Sequence, residues 1–174
     1  MMRRETLDAV GRYRETAWAE DYDLWLRMLE KGFRLGKVPE ILMDWYDLPQ
    51  RLTRTDPRYS PAHFLMARAF YLARLPLIRR NGVMISGAGF IAKHLSRLLT
   101  ANGITVHGFL DVHPNRIGKS VGGVMVLSSG DLPGFSEAAP VQLSAVGRSG
   151  RREKVAGILE NAGYVRGENY FCVA

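Results

Sequence analysis

Cysteine is almost absent from this sequence, since Cys172 is the only one among 174 residues. A single thiol excludes a disulfide within the chain. Long apolar runs are missing too, because no stretch approaches the roughly 20 residues that a membrane-spanning helix needs. The first five residues, MMRRE, lack the apolar core of a secretory signal peptide. These absences favour a soluble protein of a reducing compartment, and we expect the cytoplasm.

Clustered metal ligands are also missing. The histidines at positions 94, 107 and 113 have no metal-ligand spacing with acidic residues or with the cysteine. We therefore predict no metal site in this chain. No Ser-His-Asp arrangement with a supporting context is found either, so the sequence gives no sign of a serine hydrolase.

What is present is an ordinary globular composition with a basic balance. Hydrophobic residues make up 47% and charged residues 24% of a chain long enough for one or two domains. Residues 1–80 hold 15 basic and 11 acidic side chains, and residues 81–174 hold 9 and 6, so both parts contribute to the net charge of +7. A basic chain attracts nucleic acid, anionic lipid or phosphorylated ligands. Because no nucleic-acid-binding motif is found, we predict no nucleic-acid partner.

Three carboxylates within four residues, Glu20, Asp21 and Asp23, precede an apolar face that begins at Leu24. This pattern predicts a helix over residues 19–31 that ends at Gly32. Two interpretations are open. In the first, the acids simply complement the helix dipole, as acidic first turns commonly do. Alternatively, one carboxylate projects into a cleft, where it is kept ionised by the dipole and acts as a general base.

A resemblance bears on that choice. Residues 2–14, the run AEDYDLWLR at 19–27, Gly32-Phe33, KVPEIL at 37–42 and LTR at 52–54 resemble, in order, the C-terminal half of a family-2 inverting glycosyltransferase of the GT-A type. The resemblance covers about residues 1–75. It implies that Asp21 is the catalytic base that deprotonates an acceptor hydroxyl and that Glu20 shapes the site. The donor would be a nucleotide sugar, and the acceptor a saccharide or a lipid-linked sugar.

The N-terminal, nucleotide-sugar-binding half of such enzymes has no counterpart in this sequence. That half carries the uridine-binding aspartate and the metal-binding Asp-x-Asp, so a divalent metal is expected only there. We therefore expect the chain to be a C-terminal fragment, whether a natural truncation, an expressed piece or a gene read from an internal Met, and to be inactive alone. The family also implies a bacterial protein, peripheral at the inner membrane face. A homo-oligomer is left open.

Coarse patterns predict the remaining elements of the first part. We expect a strand and turn at 3–13, one or two short strands at 33–43 and a loop at 44–59. The loop arginines at 51, 54 and 58 could contact a diphosphate or be solvated charges. Ser60 and Pro61 predict the start of an apolar helix that Pro76 ends. A domain boundary is placed near residue 80.

A dinucleotide-binding fingerprint opens the second part. Val83–Ser86 reads as a buried strand, the turn Gly-x-Gly-x-x-Ala follows at 87–92, and a helix and a second strand ending at Asp111 come next. Gly87 allows the tight turn, Gly89 the approach of a pyrophosphate, and Ala92 close helix–strand packing. Asp111 stands where a ribose-binding acid belongs. The alternative is a doubly wound sheet whose glycine turn serves packing only.

The rest of the second part resembles a small Rossmann-like domain found at the N-terminus of bacterial sugar acyltransferases. GFLD at 108–111, RIG at 116–118, GGVMVL at 122–127 and AVG at 145–147 carry this resemblance. It implies a crevice that holds a nucleotide or nucleotide sugar, a UDP-sugar or NAD(P), with Gly147 at its edge. No Tyr/Lys pair or histidine suited to hydride transfer is evident, so a self-sufficient oxidoreductase is the least favoured hypothesis.

The predicted fold class is therefore α/β. A truncated GT-A-like α/β segment at 1–80 is followed by a Rossmann-like, doubly wound parallel sheet at 81–174. The leading hypothesis is the C-terminal fragment of an inverting glycosyltransferase with an appended nucleotide-binding module. The alternatives are a non-catalytic nucleotide or nucleotide-sugar binding module and, less favoured, an NAD(P)-dependent oxidoreductase.

Overall fold

The structure is a computed structural model that describes residues 2–148 and 150–174. The chain divides into two compact units, Met1–Ala67 and Arg68–Ala174. The division falls inside one helix, earlier in the chain than the boundary expected near residue 80. Each unit is described below by itself.

The first unit is helical. Its helices are α1 (Arg4–Ala9), α2 (Glu20–Glu30), the short α3 (Leu52–Thr55) and the beginning of α4 (Pro61–Leu72), and a single 3-10 turn covers Pro57–Tyr59. The predicted helix at 19–31 is confirmed to within a residue at each end. Ser60 caps α4 as expected, because its Oγ accepts a hydrogen bond from the His63 amide at 3.4 Å.

The strand predicted at 3–13 is wrong, because these residues form helix α1 followed by a turn at Gly11 and Arg12. Leu7 and Val10 are three positions apart, which places them on one face of a helical turn. That face packs against Leu24 and Met28 of α2. Packing against the apolar face of α2 therefore stabilises a helix here and not a strand. The local sequence alone does not indicate this.

The strands predicted at 33–43 are also wrong, since the described structure has no strand there. A strand is stable only when its amide and carbonyl groups pair with a neighbour. Residues 34–50 instead form an irregular, exposed segment in which Ile41 is 94% exposed. The predicted loop at 44–59 is correct in outline but contains α3 and the 3-10 turn.

The second unit is built on a six-stranded sheet. Its strands are β1 (Val83–Ser86), β2 (Val106–Asp111), β3 (Ser120–Val121), β4 (Val124–Ser128), β5 (Val141–Ser144) and β6 (Tyr170–Cys172). The strand order is β3-β4-β2-β1-β5-β6, and all pairs are parallel except the edge hairpin of β3 and β4. Helices α5 (Pro76–Asn81), α6 (Phe90–Ala101) and α7 (Arg151–Asn161) complete the unit. Pro76 therefore begins α5, as proline at a first helical position does.

The five parallel strands, counted along the chain, lie in the order 3-2-1-4-5, which is the order of a Rossmann-like sheet. Helix α6 joins β1 to β2 in one direction, and α7 joins β5 to β6 in the other. Because such crossovers are right-handed, the two helices cover opposite faces of the sheet. Strands β1 and β5 are buried along their whole length, as parallel strands covered on both faces must be. The predicted α/β, doubly wound fold is confirmed for this unit.

The direction of winding reverses between β1 and β5, which are adjacent in the sheet. In sheets of this kind ligands bind outside the carboxyl ends of the strands at that reversal. The glycine turn at 87–89 follows β1, and the segment at 145–148 follows β5. Within the described residues, no helix combines the length and apolarity required to cross a bilayer.

Candidate functional site

The three carboxylates at the start of α2 have different surroundings, and Asp23 is the buried one. Its side chain has no exposed surface. Oδ2 accepts hydrogen bonds from Arg27 Nε at 2.8 Å and Arg14 Nε at 2.9 Å. Oδ1 accepts from Arg14 Nη2 and Trp18 Nε1, each at 3.1 Å. Four donors satisfy the carboxylate, so Asp23 holds the unit together rather than facing a ligand.

Arg27 extends this network to the backbone that precedes α2. Its Nη1 donates to the Val10 carbonyl, and its Nη2 donates to the Arg12 carbonyl at 2.6 Å. These carbonyls flank the turn where Gly11 and Arg12 both have positive φ angles. Only 9% of the Arg27 side chain is exposed, so its charge depends on Asp23 for compensation.

Glu20 is engaged by Tyr59. The Tyr59 hydroxyl lies 2.9 Å from Oε1 and 3.1 Å from Oε2 of Glu20. Burial, and then the hydrogen bond to this carboxylate, raise the pKa of Tyr59 to about 12. The hydroxyl therefore stays protonated and donates up to strongly alkaline pH. Glu20 thus fastens the start of α2 to the 3-10 turn.

Asp21 is the third carboxylate, and it is half-buried. Its Oδ1 accepts a hydrogen bond from the neighbouring Tyr22 amide at 2.7 Å. In the part of the chain that the structure describes, Asp21 forms no ion pair. The Tyr22 amide is a single backbone donor, so the carboxylate keeps acceptor capacity for a hydroxyl, as the Glu20 carboxylate also does beside the Tyr59 hydroxyl.

The loop arginines are satisfied locally. Arg54 pairs with Asp47, and Arg58 pairs with Asp56 through Nε at 2.9 Å and Nη2 at 2.6 Å. Arg51 donates to the Tyr46 carbonyl at 2.9 Å, and its guanidinium lies 3.9 Å from the centre of the Trp45 ring. The hydrogen bonds from Arg54 and Arg58 also lower the pKa values of their two aspartates. This arrangement favours the view of these arginines as loop charges over diphosphate ligands.

In the second unit the glycine turn lies at the carboxyl end of β1. Gly87 has φ +97°, and its amide donates to the Leu110 carbonyl at 2.6 Å. A Cβ at Gly87 would lie 3.3 Å from Val146 Cγ2, so the glycine turn and the segment after β5 are in contact. Gly147 follows Val146, and a Cβ there would lie 3.6 Å from Ala174 Cβ. The predicted residues of this region are thus neighbours in space.

Gly89 is the N-cap of α6, with φ −80° and ψ −172° and with no side chain capping the helix. A Cβ at Gly89 would meet no atom beyond those of its chain neighbours within 4 Å, so the backbone is open on the side where a side chain would lie. Ala92, only 1% exposed, packs this first turn onto the sheet. Uncapped amides at a helix N-terminus attract anions, above all phosphate.

Asp111 ends β2 as predicted, but protein groups already surround its carboxylate. Oδ2 accepts from the Ala88 amide and from Arg116 Nη1, each at 3.0 Å, and Oδ1 accepts from the His113 amide at 2.9 Å. Burial by itself raises the pKa of Asp111, but the hydrogen bonds from His113, Arg116 and Ala88 outweigh it and hold the pKa below its ordinary value. Asp111 is therefore an anion that ties the glycine turn to the end of β2.

Sequence reasoning gave no role to two residues at this edge of the sheet. Arg116 covers the Asp111 carboxylate, and Phe90, at the first position of α6, is 84% exposed and stacks on His94. A large aromatic residue directly after the second glycine of the fingerprint, and an arginine five residues after the strand-ending acid, were the available signals. Among the described residues, no group of three or more His, Cys, Asp or Glu side chains is placed to hold a metal ion.

Comparisons with known proteins add little to this geometry. No protein-family model matches the chain, and no curated protein matches it significantly. Five chains of solved structures do match, among them one described as RSP, a Rex-family repressor. The two chains share 16% sequence identity, and the TM-score is 0.48. The match covers 62% of this chain and 53% of that one, so this chain spans about half the length of the repressor structure.

Proposed function

We propose that the second unit binds a nucleotide or nucleotide sugar, such as NAD(P) or a UDP-sugar, at the carboxyl ends of β1, β2 and β5. One observation carries the proposal. The uncapped start of α6, with open space where a Gly89 side chain would lie, is at the point where the winding of the sheet reverses. A diphosphate there would accept hydrogen bonds from the backbone amides and be stabilised by the helix dipole. The unit then acts as a binding module without chemistry of its own.

A negative charge introduced at residue 89 tests this proposal. Aspartate is a favourable N-cap residue and the space is open, so we expect Gly89→Asp to leave the melting temperature unchanged or slightly higher. Its carboxylate would repel a bound diphosphate, and affinity for the nucleotide should fall by about a hundredfold. The measurement is calorimetric titration with NAD, NADP, UDP and UDP-glucose.

Gly89→Asn is the matched control, since asparagine has the same shape and caps equally well but carries no charge. We expect it to weaken binding much less than Gly89→Asp. Equal binding by the wild type and by Gly89→Asp would contradict a phosphate at this position. Turnover of NAD(P) with a sugar, rather than binding alone, would favour the oxidoreductase.

A second function is favoured by the difference between the acids of α2. We propose that Asp21 is the general base of a glycosyltransferase site to which the first unit contributes, and that a nucleotide-sugar-binding half completes the site. Asp23 accepts from Arg14, Trp18 and Arg27 and is buried, and Glu20 holds the Tyr59 hydroxyl of another segment. Asp21 accepts from the neighbouring Tyr22 amide and forms no ion pair among the described residues. A base needs an ionised carboxylate that a substrate hydroxyl can reach.

Transfer of sugar from a nucleotide-sugar donor tests the role of Asp21. We expect no transfer by this chain alone and measurable transfer when a family-2 donor-binding half is supplied. In that reconstituted protein Asp21→Asn should lower kcat by about a thousandfold, as the loss of a general base does. Glu15→Gln, which removes an exposed carboxylate outside α2, is the control and should leave kcat unchanged. Transfer by the isolated chain would refute the expectation of inactivity.

A further inference from the structure

The group that faces solvent at the end of β2 is a guanidinium and not a carboxylate. Arg116 Nη1 donates to Asp111 Oδ2 at 3.0 Å. The Asp111 side chain is 7% exposed, whereas the Arg116 side chain is 52% exposed. In a Rossmann-like site this is the position that a nucleotide ribose reaches. A ligand that enters the crevice would therefore meet positive charge there.

The Asp111 carboxylate is poorly placed to bind an unmodified ribose. A ribose diol donates two hydrogen bonds, so a carboxylate that binds both hydroxyls needs two free acceptor sites. Here Oδ2 already accepts from the Ala88 amide and from Arg116, and Oδ1 accepts from the His113 amide. Three of the roughly four acceptor sites are thus filled, so binding both hydroxyls of a diol would require the charged contact with Arg116 to be given up.

The turn that carries Arg116 is cationic. Residues 112–119 contain Arg116 and Lys119, both exposed, and no acidic residue. His113 is exposed as well, and its Nδ1 accepts a hydrogen bond from the Asn115 amide at 3.3 Å. Arginine has five N–H donors in a planar fork, and the contact with Asp111 occupies one nitrogen. The rest of the fork matches the geometry of a phosphate.

Resting on the nucleotide site proposed above, we propose that its ligand carries a phosphate on the ribose, at the 2′ or the 3′ oxygen, and that Arg116 binds this phosphate. Asp111 then acts as the positioning residue. It anchors the guanidinium from one side and the Ala88 amide of the glycine turn from the other. The diphosphate at α6 and the ribose phosphate at Arg116 would be two separate anion contacts of one ligand.

Matched nucleotides test the proposal by calorimetric titration of the whole chain. The probes are 5′-AMP, adenosine 2′,5′-bisphosphate and adenosine 3′,5′-bisphosphate, together with NAD, NADP and UDP-glucose. We expect one of the two bisphosphates to bind about ten- to a hundredfold more tightly than 5′-AMP, which is the effect of a charge-assisted pair. The bisphosphate that binds more tightly than 5′-AMP shows whether the bound phosphate is on the 2′ or the 3′ oxygen.

Variants assign the preference to Arg116. Arg116→Gln should abolish the tighter binding of the bisphosphate while leaving the affinity for 5′-AMP within about twofold of the wild type. Arg116→Lys should retain part of the tighter binding, because the positive charge remains although the planar guanidinium is lost. Arg97→Gln is the matched control, since it removes an exposed arginine of α6 about 10 Å along the helix from its start. It should preserve the tighter binding of the bisphosphate.

The outcomes separate this inference from the binding proposal. If UDP-glucose, NAD or 5′-AMP binds as well as the bisphosphates, and Arg116→Gln has no effect, the ribose phosphate is refuted and the nucleotide site stands. If none of the six probes binds, both proposals fail. Bisphosphate selectivity that persists in Arg116→Gln would likewise refute the role of Arg116.

Discussion

Replacing Asp23 with alanine is expected to unfold the first unit. The carboxylate has no exposed surface and accepts hydrogen bonds from Arg14, Trp18 and Arg27. Its removal leaves the largely buried Arg27 guanidinium without a counter-charge. Breaking a buried pair from one side costs about 3–5 kcal/mol of unfolding free energy. A loss of that size is comparable to the whole stability of a small domain.

The effect should propagate to the backbone ahead of α2. Arg27 donates to the carbonyls of Val10 and Arg12, which flank the turn with positive φ angles. When Arg27 loses its ion pair with Asp23, its hydrogen bonds no longer hold that turn in place. We then expect α1 to lose its packing against α2. Urea denaturation followed by hydrogen exchange of the α2 amides would measure both consequences. Asp23→Asn, which keeps the shape but not the charge, should also be strongly destabilising.

An exposed ion pair in the same unit provides the control. Asp8 of α1 pairs at 2.6 Å with Arg12, four positions later in the turn after the helix, and 44% and 63% of the two side chains are exposed. Such surface pairs contribute less than about 1 kcal/mol. We therefore expect Asp8→Ala to change the urea midpoint only slightly. Similar midpoints for Asp8→Ala and Asp23→Ala would show that the buried network does not stabilise the unit.

Gly87→Val is expected both to destabilise the second unit and to abolish nucleotide binding. Gly87 has φ +97°, a conformation that valine adopts only with strain of about 1–3 kcal/mol. Its Cβ would lie 3.3 Å from Val146 Cγ2, and the additional methyl groups would crowd the same space. The turn would have to move, which breaks the bonds from Gly87 to Leu110 and from Ala88 to Asp111.

The measurement pairs thermal unfolding with titration of the nucleotide that the wild type binds. Gly103→Val is the matched control because Gly103 also has a positive φ, +78°, but no atom lies within 4 Å of a Cβ there. It follows the C-terminal end of α6, so it should cost stability through strain without changing affinity. Retained binding by Gly87→Val would contradict the nucleotide site, whatever the change in stability.

Gly87→Val, its control Gly103→Val and Gly89→Asp together distinguish the role of Gly87 from that of Gly89. Gly87 is required by the backbone conformation and by the contact with Val146, so its substitution affects the folded state itself. Gly89 has an ordinary φ and open space around it, so its substitution affects only a ligand. If binding is lost in Gly89→Asp while the melting temperature is kept, the glycine turn serves a ligand and not packing alone.

Local features of the sequence determined much of the second unit. The run of three apolar residues and a serine before Gly87, the spacing of Gly87, Gly89 and Ala92 and the amphipathic run after them predicted β1, the turn and α6 in their correct places. These elements depend on hydrophobic periodicity and on glycine, which act within a few residues. The helix at 20–30 was predicted for the same reason, by its acidic first turn and by Gly32 beyond its end.

Contacts between distant residues decided the rest. Residues 4–9 are helical because Leu7 and Val10 pack on α2, and 33–43 is not a strand because the described chain offers it no partner. The three acids at the start of α2 look alike in the sequence. Only their contacts with Arg14, Arg27 and Tyr59 distinguish the buried Asp23 and the hydrogen-bonded Glu20 from Asp21. The position of Asp111 was evident from the strand that it ends. That Arg116 and Ala88 would occupy its carboxylate was not, because burial and pairing arise only when separate segments meet in space.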